Sequence, residues 1–371
     1  MQNNQKIIAI FGGGGFIGKH LMRQLTNLDY RIKVATRNPY LKGYLKPLGS
    51  PGQIELFRTN IFNKEDIKQV LKNCDLVINL VGILYETKKQ KFNQIHSQFP
   101  NLLSELCHET GVKNLIHISA LGIKEQHDSK YMQSKLQGEK DIQKNFKASV
   151  ILRPSIVFGP EDKFFNTFAS IAQFSPFLPL IGGGKTKFSP IYVGDVAKAI
   201  VKVLELKNSE PKIYELGGPK NYSFKELMEI LLREIKKKRF LIPIPFGFAK
   251  FQSYFLQMLP NPLLTPDQVE LLKHHNIVSG DHPTLKDLGI TGTPIESILS
   301  VTRKILFYDI DSHLMYKQSE ISKLLTDKTK LIMFVDYFGV ETQLKKPLQE
   351  QLENQKCCLR YQTFQNLEVR R

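Results

Sequence analysis

The run Ile8-Ala9-Ile10-Phe11-Gly12-Gly13-Gly14-Gly15-Phe16-Ile17-Gly18 constrains this chain more than any other stretch. An apolar, β-branched segment runs into glycines at 12, 15 and 18, and the amphipathic Lys19-His20-Leu21-Met22-Arg23-Gln24-Leu25 follows at once. The order is strand, tight turn, helix start. Glycines let a backbone approach a pyrophosphate closely, and the free N–H groups and positive dipole end of a new helix attract its charge. Gly12, Gly15, Phe16, Ile17 and Gly18 are therefore the expected cradle of a dinucleotide. The competing reading is a plain Gly-rich connection between strand and helix.

The next strand, Arg31-Ile32-Lys33-Val34-Ala35-Thr36-Arg37, ends where such folds read the adenosine ribose. An acidic residue there would bond a free 2′-hydroxyl, whereas Thr36 and Arg37 suit a 2′-phosphate. NADP(H) is expected over NAD(H). The alternative for Arg37 is a solvated loop charge.

Further along, strands at 54–58, 76–82, 114–119 and 149–154 alternate with helices at 64–72, 93–109 and 130–146. Continuous apolar strands separated by helices mean a parallel sheet covered on both faces, so an α/β, doubly wound Rossmann-type domain. Its cofactor contacts gather at the carboxyl ends of the strands. Asn60 and Ile61 then lie beside the adenine, and Val81 and Gly82 beside the ribose and nicotinamide. Pro154 closes the strand farthest along. Each of these also reads as ordinary strand-end chemistry.

Tyr131-Met132-Gln133-Ser134-Lys135 places a tyrosine and a lysine at i and i+4, on one helix face. There a Lys ammonium lowers a phenol's pKa from about 10 toward neutrality and holds the nicotinamide ribose, leaving Tyr131 as a proton donor or acceptor. The same spacing arises by chance in many chains. Here it follows Ser119, at the end of the preceding strand, and the three form the candidate catalytic set.

With 371 residues the chain is long enough for a large core and more than one unit. Four cysteines, Cys74, Cys107, Cys357 and Cys358, lack metal-ligand spacing and point to reduced thiols. The N-terminus has no signal-peptide layout and no run is long enough to span a membrane, so a soluble or peripheral protein is expected. The formal charge of +17 attracts anionic partners. No reading helix, zinc finger or RNA-stacking motif supports nucleic acid, and no metal site is expected. The dense basic block Arg233-Glu234-Ile235-Lys236-Lys237-Lys238-Arg239 precedes an aromatic stretch that reaches Leu259. That pairing suits either a docking surface toward a membrane-proximal partner or membrane surface, or a solvated helix end beside a buried core segment.

Several runs together resemble the extended short-chain dehydrogenases. Within them they are similar to an atypical branch, the nucleotide-binding accessory subunit of respiratory complex I (NADH:ubiquinone oxidoreductase) and its bacterial relatives. The runs are Asn79–Glu86, Phe92-Asn93-Gln94-Ile95-His96, Ile118–Gly122, Arg153–Asp162, Pro176–Gly184, Tyr192–Ala197 and Tyr214–Pro219, within about residues 5 to 300. The resemblance implies a Rossmann domain at 1–160, a smaller α/β substrate lobe interleaved with it at 161–303, and tightly held NADPH. It also implies a structural or assembly role beside other complex I subunits, on the cytoplasmic face of a bacterial inner membrane or the equivalent mitochondrial matrix side. Extended enzymes usually carry a second Ser or Thr just after the strand-end serine; Ala120 and Leu121 follow Ser119 here. Own turnover is therefore doubtful. The other reading is an active NADP-dependent oxidoreductase or epimerase on a small or nucleotide-linked substrate.

From residue 304 the chain resembles an internal fragment of the pyridoxal-phosphate-dependent sugar aminotransferases, with a strand at 307–311, a helix at 320–330 and a strand at 331–339. Gln355-Lys356-Cys357-Cys358-Leu359-Arg360 replaces the region of the pyridinium-partner Asp, and no Schiff-base lysine follows. Residues 304–371 are expected to be a truncated or misjoined tail without that activity and too short for a core of its own. A native extension is the alternative.

Overall fold

The computed structural model describes residues 5–206, 212–259 and 262–299, together with the backbone of two strands at 331–336 and 358–363. The chain divides into two units, Met1–Val301 and Thr302–Arg371. In the first, β1 (Lys6–Phe11), α1 (Phe16–Leu25), β2 (Tyr30–Thr36), β3 (Ile54–Arg58), α2 (Lys64–Leu71), β4 (Leu76–Asn79), α3 (Phe99–Glu109), β5 (Asn114–Ile118), α4 (Lys130–Asn145) and β6 (Ser149–Pro154) alternate in the expected order. The chain then builds β7 (Val157–Phe158), α5 (Lys163–Phe174), β8 (Phe177–Ile181), β9 (Lys187–Phe188), β10 (Ile191–Tyr192) and α6 (Val193–Glu205). It returns to the main sheet as β11 (Lys212–Leu216) and continues through β12 (Tyr222–Ser223), α7 (Phe224–Glu234), β13 (Phe240–Ile244), α8 (Phe246–Leu256), α9 (Pro266–Leu271) and α10 (Ile295–Leu299).

Seven strands form one parallel sheet in the order β11-β6-β5-β4-β1-β2-β3. Alternation along each strand feeds two cores. On one face Ile8, Ile10, Ile32, Val34 and Ile116 pack against Leu21 and Leu25 of α1 and Val196, Ile200 and Val203 of α6. On the other, Ala9, Phe11, Val77 and Leu115 meet Ile67 and Val70 of α2, Phe99 and Leu103 of α3 and Ile142 of α4. Each fully buried Val, Leu, Ile or Phe among them contributes about 1.5–3 kcal/mol by leaving water. The doubly wound sheet expected from the apolar runs is therefore present, and its order reverses at β1 and β4, where ligands of such sheets bind.

Local chemistry explains where elements begin and stop. The Asn63 side chain accepts from the N–H groups of Glu65 and Asp66 to start α2, and Ser129 accepts from Met132 N–H to start α4. The strand expected over 76–82 ends at Asn79, because the Asn79 side chain accepts from Val81 N–H at 3.0 Å and turns the backbone out of the sheet. The helix expected over 93–109 is interrupted. Residues Gln94–Gln98 form a wider π turn before α3 begins.

A third core, including Phe158, Phe165, Phe188, Phe224 and Leu227, holds the lobe built after β6. In it β8 and β13 pair in parallel, with Phe177 opposite Phe240. Among the described residues no helix is long and apolar enough to cross a membrane. In the second unit, β14 (Leu331–Asp336) pairs in parallel with β15 (Cys358–Thr363). The strand expected at 307–311 and the helix at 320–330 lie outside the described residues.

Candidate dinucleotide site

The glycine turn lies between β1 and α1, at the switch point of the sheet. Gly12 takes φ +87°, a conformation costly for any residue with a Cβ, and its carbonyl accepts from Gly15 N–H at 2.9 Å. A Cβ on Gly12 would lie 3.0 Å from the Leu80 carbonyl carbon, and one on Gly18 would overlap the Gly13 carbonyl. Both glycines are therefore required for the turn to nest between α1 and the loop after β4. Gly15 caps α1 without a side-chain bond, and no acidic residue occupies the first turn. The N–H groups of Phe16 and Ile17 are thus left without a side-chain cap, as an anion-binding helix start requires.

The end expected for the adenosine is built from β2 and β3, whose ends are level through the pairing of Thr36 with Arg58. Arg37, one residue beyond β2, is exposed. A nine-residue 3-10 segment, Tyr40–Leu48, comes next and is anchored by buried Leu45. It folds Lys42 and Tyr44 over the glycine turn, where the Lys42 ammonium and the Tyr44 hydroxyl both donate to the Gly14 carbonyl, at 3.1 and 3.2 Å. Neither residue stood out in the sequence, since the carbonyl they share lies 28 and 30 residues away. Asn60 uses its side-chain oxygen to accept from Phe62 N–H, while its own N–H donates to Asp66. Ile61 packs at the edge of the α2 core.

At the end expected for the nicotinamide, around the ends of β4 and β5, Gly82 and Lys135 come together, with Ser119 next to the residue whose carbonyl Lys135 bonds and Tyr131 four residues before Lys135 on α4. Lys135 is almost wholly buried and donates to the Ile118 carbonyl at 3.0 Å. A Cβ on Gly82 would stand 3.6 Å from its ammonium. The Ser119 hydroxyl is buried and has no partner, and neither has the His117 Nε2. Asn79 donates to His117 Nδ1 at 3.1 Å, which leaves the imidazole proton on that unpartnered Nε2. An orphaned hydroxyl facing the strand ends is what a site that takes a polar ligand would leave. Pro154 is buried at the end of β6, where its carbonyl accepts from Leu121 N–H.

One expectation is overturned. The Tyr131 phenol is not drawn toward neutrality. Burial, with a smaller contribution from the Asp267 carboxylate, pushes it up to about 12. Lys135 does not offset this, because burial pulls its own ammonium down to about 8 and its bond goes to a backbone carbonyl. The Tyr131 ring stands edge-on to Phe92 and His96, with centroids 5.6 and 5.1 Å away.

Three supports went unseen in the sequence because each acts across a long separation. Asp267, at the start of α9, accepts from the N–H groups of Lys130 and Tyr131 and from the Ser129 hydroxyl, so a lobe residue caps the helix bearing Tyr131. Asn276 donates to the Leu121 carbonyl at 2.7 Å and accepts from the Ser155 hydroxyl at 2.6 Å, stitching the lobe to the ends of β5 and β6. Beneath Lys135, Arg153 of β6 and Glu139 of α4 form a buried, two-pronged ion pair at 2.5 and 3.0 Å.

The basic and aromatic stretch at 233–259 lies largely at the surface. Phe240, Phe248, Phe251 and Phe255 are between 57% and 72% exposed, and Met258 is 81% exposed. Phe246 is half-buried against Gly182, and Ala249 anchors α8. The cations are not equivalent. Lys236, Lys237 and Lys238 are exposed, whereas Arg239 is half-buried and donates to the Ala172 carbonyl at 2.8 Å, so its expected place among the free charges does not hold. Phe174, at the end of α5, is 89% exposed.

Residues 8–217 match the model of the NAD dependent epimerase/dehydratase family. The chain is 31% identical over 310 residues to the Arabidopsis thaliana NADH dehydrogenase [ubiquinone] 1 alpha subcomplex subunit 9, mitochondrial, covering 79% of this chain and 77% of that protein. It is 29% identical over 293 residues to the Mus musculus protein of the same name, covering 78% of each. Among solved structures, a UDP-N-acetylglucosamine 4-epimerase from Methanobrevibacter ruminantium superposes with a TM-score of 0.60 at 18% identity, over 80% of this chain and 97% of that one.

Proposed function

We propose, for a chain that belongs to the NAD dependent epimerase/dehydratase family, that it is an NADP(H)-holding accessory subunit of a respiratory NADH:quinone oxidoreductase with a structural or assembly role. The observation that carries this reading is an intact glycine turn between β1 and α1, beside a candidate catalytic set that lacks a second hydroxyl. Gly12, Gly15 and Gly18 keep their turn, while Ala120 and Leu121 occupy the place of a second hydroxyl. The names of its relatives in plant and mouse support the partner. When bound, the nicotinamide would supply hydride chemistry. This chain's own residues would hold it: α1's first N–H groups at the pyrophosphate, Arg37 at the 2′-phosphate, Asn60 and Ile61 near the adenine, and Val81, Gly82, Lys135 and Pro154 around the nicotinamide ribose.

The residues that would move a proton are poorly poised for it. With its phenol raised to about 12, Tyr131 keeps its proton at neutral pH and donates a hydrogen bond more readily than it exchanges a proton. Ser119 alone would face a reacting carbonyl or hydroxyl. Positioning by a single group forfeits much of the advantage that a fixed geometry brings. The working-enzyme reading keeps one supporting observation, the convergence of Ser119, Tyr131 and Lys135.

The exposed aromatic residues of β13 and α8, flanked by Lys236, Lys237 and Lys238, suit contact with a membrane-proximal partner and its anionic surface. A peripheral position follows, on the matrix side or its bacterial cytoplasmic equivalent. Purification from the native membrane tests the reading. The chain is expected to travel with quinone-reductase subunits and to release NADP(H) on denaturation; a chain recovered alone, turning over a small substrate, would refute it.

A further inference from the structure

The motif Phe92–His96 marks a resemblance in the sequence, but the dinucleotide contacts above do not use it. Its histidine lies at the centre of the nicotinamide end. The π turn at Gln94–Gln98 carries His96 inward, and α4 crosses it so closely that a Cβ on Gly138 would overlap the His96 carbonyl. Its Nε2 accepts from Ile83 N–H at 3.1 Å, in the loop after β4. Its Nδ1 meets the Ser134 hydroxyl at 3.1 Å, on α4 between Tyr131 and Lys135.

The protons along this path have one consistent arrangement. Ser134 gives its hydroxyl proton to the Tyr131 carbonyl at 2.7 Å, so it accepts from His96 Nδ1–H, and Nε2 is left as the acceptor that Ile83 N–H needs. Burial, with Lys135 and His117 adding to it, holds the imidazole down at about 2, so it stays neutral. Phe92 stacks on the ring at 5.5 Å and Tyr131 closes its edge. Gly82 sits where a Cβ would be 3.7 Å from His96 Nε2 and 3.6 Å from the Lys135 ammonium.

We propose that His96 is the positioning residue of the nicotinamide half-site: it ties the 81–83 loop to α4 so that the Gly82 backbone and the Lys135 ammonium keep a fixed separation across which the nicotinamide ribose binds. This rests on the dinucleotide reading above. His96 itself touches no cofactor atom. A residue that served only the core would support both halves of the site equally, whereas this one bridges elements that face the nicotinamide half alone.

The test compares NADPH with 2′,5′-ADP, which carries the adenosine half and no nicotinamide, on the full chain and on two variants. His96→Phe keeps the aromatic packing and removes both bonds. His96→Gln replaces the ring with an amide whose oxygen reaches the Nε2 position and accepts from Ile83. NADPH affinity is expected to fall about tenfold in His96→Phe and to recover most of that in His96→Gln, with 2′,5′-ADP affinity unchanged in both. Parallel losses for the two ligands, or unchanged NADPH affinity in His96→Phe, would overturn the proposal and leave the dinucleotide reading standing. If His96→Phe does not fold, His96→Gln decides alone: NADPH affinity far below that of the unmodified chain overturns the proposal, and near-native affinity for both ligands supports it. An unmodified chain that binds neither ligand would refute the dinucleotide reading itself.

Discussion

Replacing Arg37 with alanine should remove most of the preference for NADP(H) while leaving NAD(H) binding nearly untouched. The guanidinium lies one residue beyond β2, whose end is level with that of β3, and it is exposed. A charge-assisted hydrogen bond contributes about 1.5–3 kcal/mol, and solvent around Arg37 places its contribution near the lower figure, or roughly tenfold in affinity. Lys42 supplies a second cation nearby. Its ammonium rests on a neutral carbonyl, that of Gly14, so a phosphate would be a stronger partner than the one it has. Part of the preference should therefore survive in Arg37→Ala and vanish in the double variant with Lys42→Met. Titration calorimetry with NADPH and NADH at two salt concentrations measures this. The NADPH advantage should shrink as salt rises, because the contact is exposed. Equal affinities of the unmodified chain for the two cofactors would refute the reasoning, and so would equal losses of both cofactors in Arg37→Ala.

Three further outcomes are expected. Removing residues 304–371 should leave NADPH affinity and the melting temperature of the remainder unchanged, because every site residue lies within Met1–Val301; a large drop in either would show that the tail belongs to the domain. Lys135, at about 8 when folded against about 10.5 unfolded, binds fewer protons folded than unfolded between those values, so its contribution to stability rises with pH across that window. Denaturant unfolding of the apo chain relative to Lys135→Met should show that rise, on the order of 3 kcal/mol, and a flat difference would contradict it. Tyr131→Phe should bind NADPH with little loss, since the phenol stays protonated and Lys135 is held by the Ile118 carbonyl; a hundredfold loss, read by fluorescence titration, would restore Tyr131 to a central role.

How much of this was legible in the sequence depends on the distance over which each residue acts. The glycine turn was legible, because a turn between a β-branched strand and an amphipathic helix is a local matter of φ angles and N–H groups. So was the sheet, whose continuous apolar strands report burial on both faces. The π turn at 94–98 was not, since helical spacing alone does not distinguish a turn widened by a helix crossing at Gly138. Lys42, Asp267 and Asn276 were not either. Their partners lie 28, 136–138 and 121–155 residues away, and no periodicity carries that information. The raised phenol was missed for a related reason. Spacing places Tyr131 and Lys135 on one helix face but says nothing of their surroundings: Lys135 is buried and Tyr131 half-buried, and desolvation outweighs the neighbouring charge.

The same burial bears on why such a site would be kept. A ligand that binds only the folded state stabilises it by about 2.7 kcal/mol when present at a hundred times its Kd, without any reaction. The groups expected to hold the dinucleotide sit at the ends of β1, β4, β5 and β6, and the lobe is fastened to those ends by Asn276 at Leu121 and Ser155, and by Asp267 at the start of α4. Stability gained at the strand ends is therefore passed to the half of the molecule that exposes Phe248, Phe251 and Phe255. A structural ligand needs a deep, well-fastened seat and no tuned proton. Ser119 and Lys135 are buried and the Tyr131 phenol keeps its proton, so the site meets both conditions, which is the arrangement expected if a bound cofactor's task is to hold the lobe in register with the sheet.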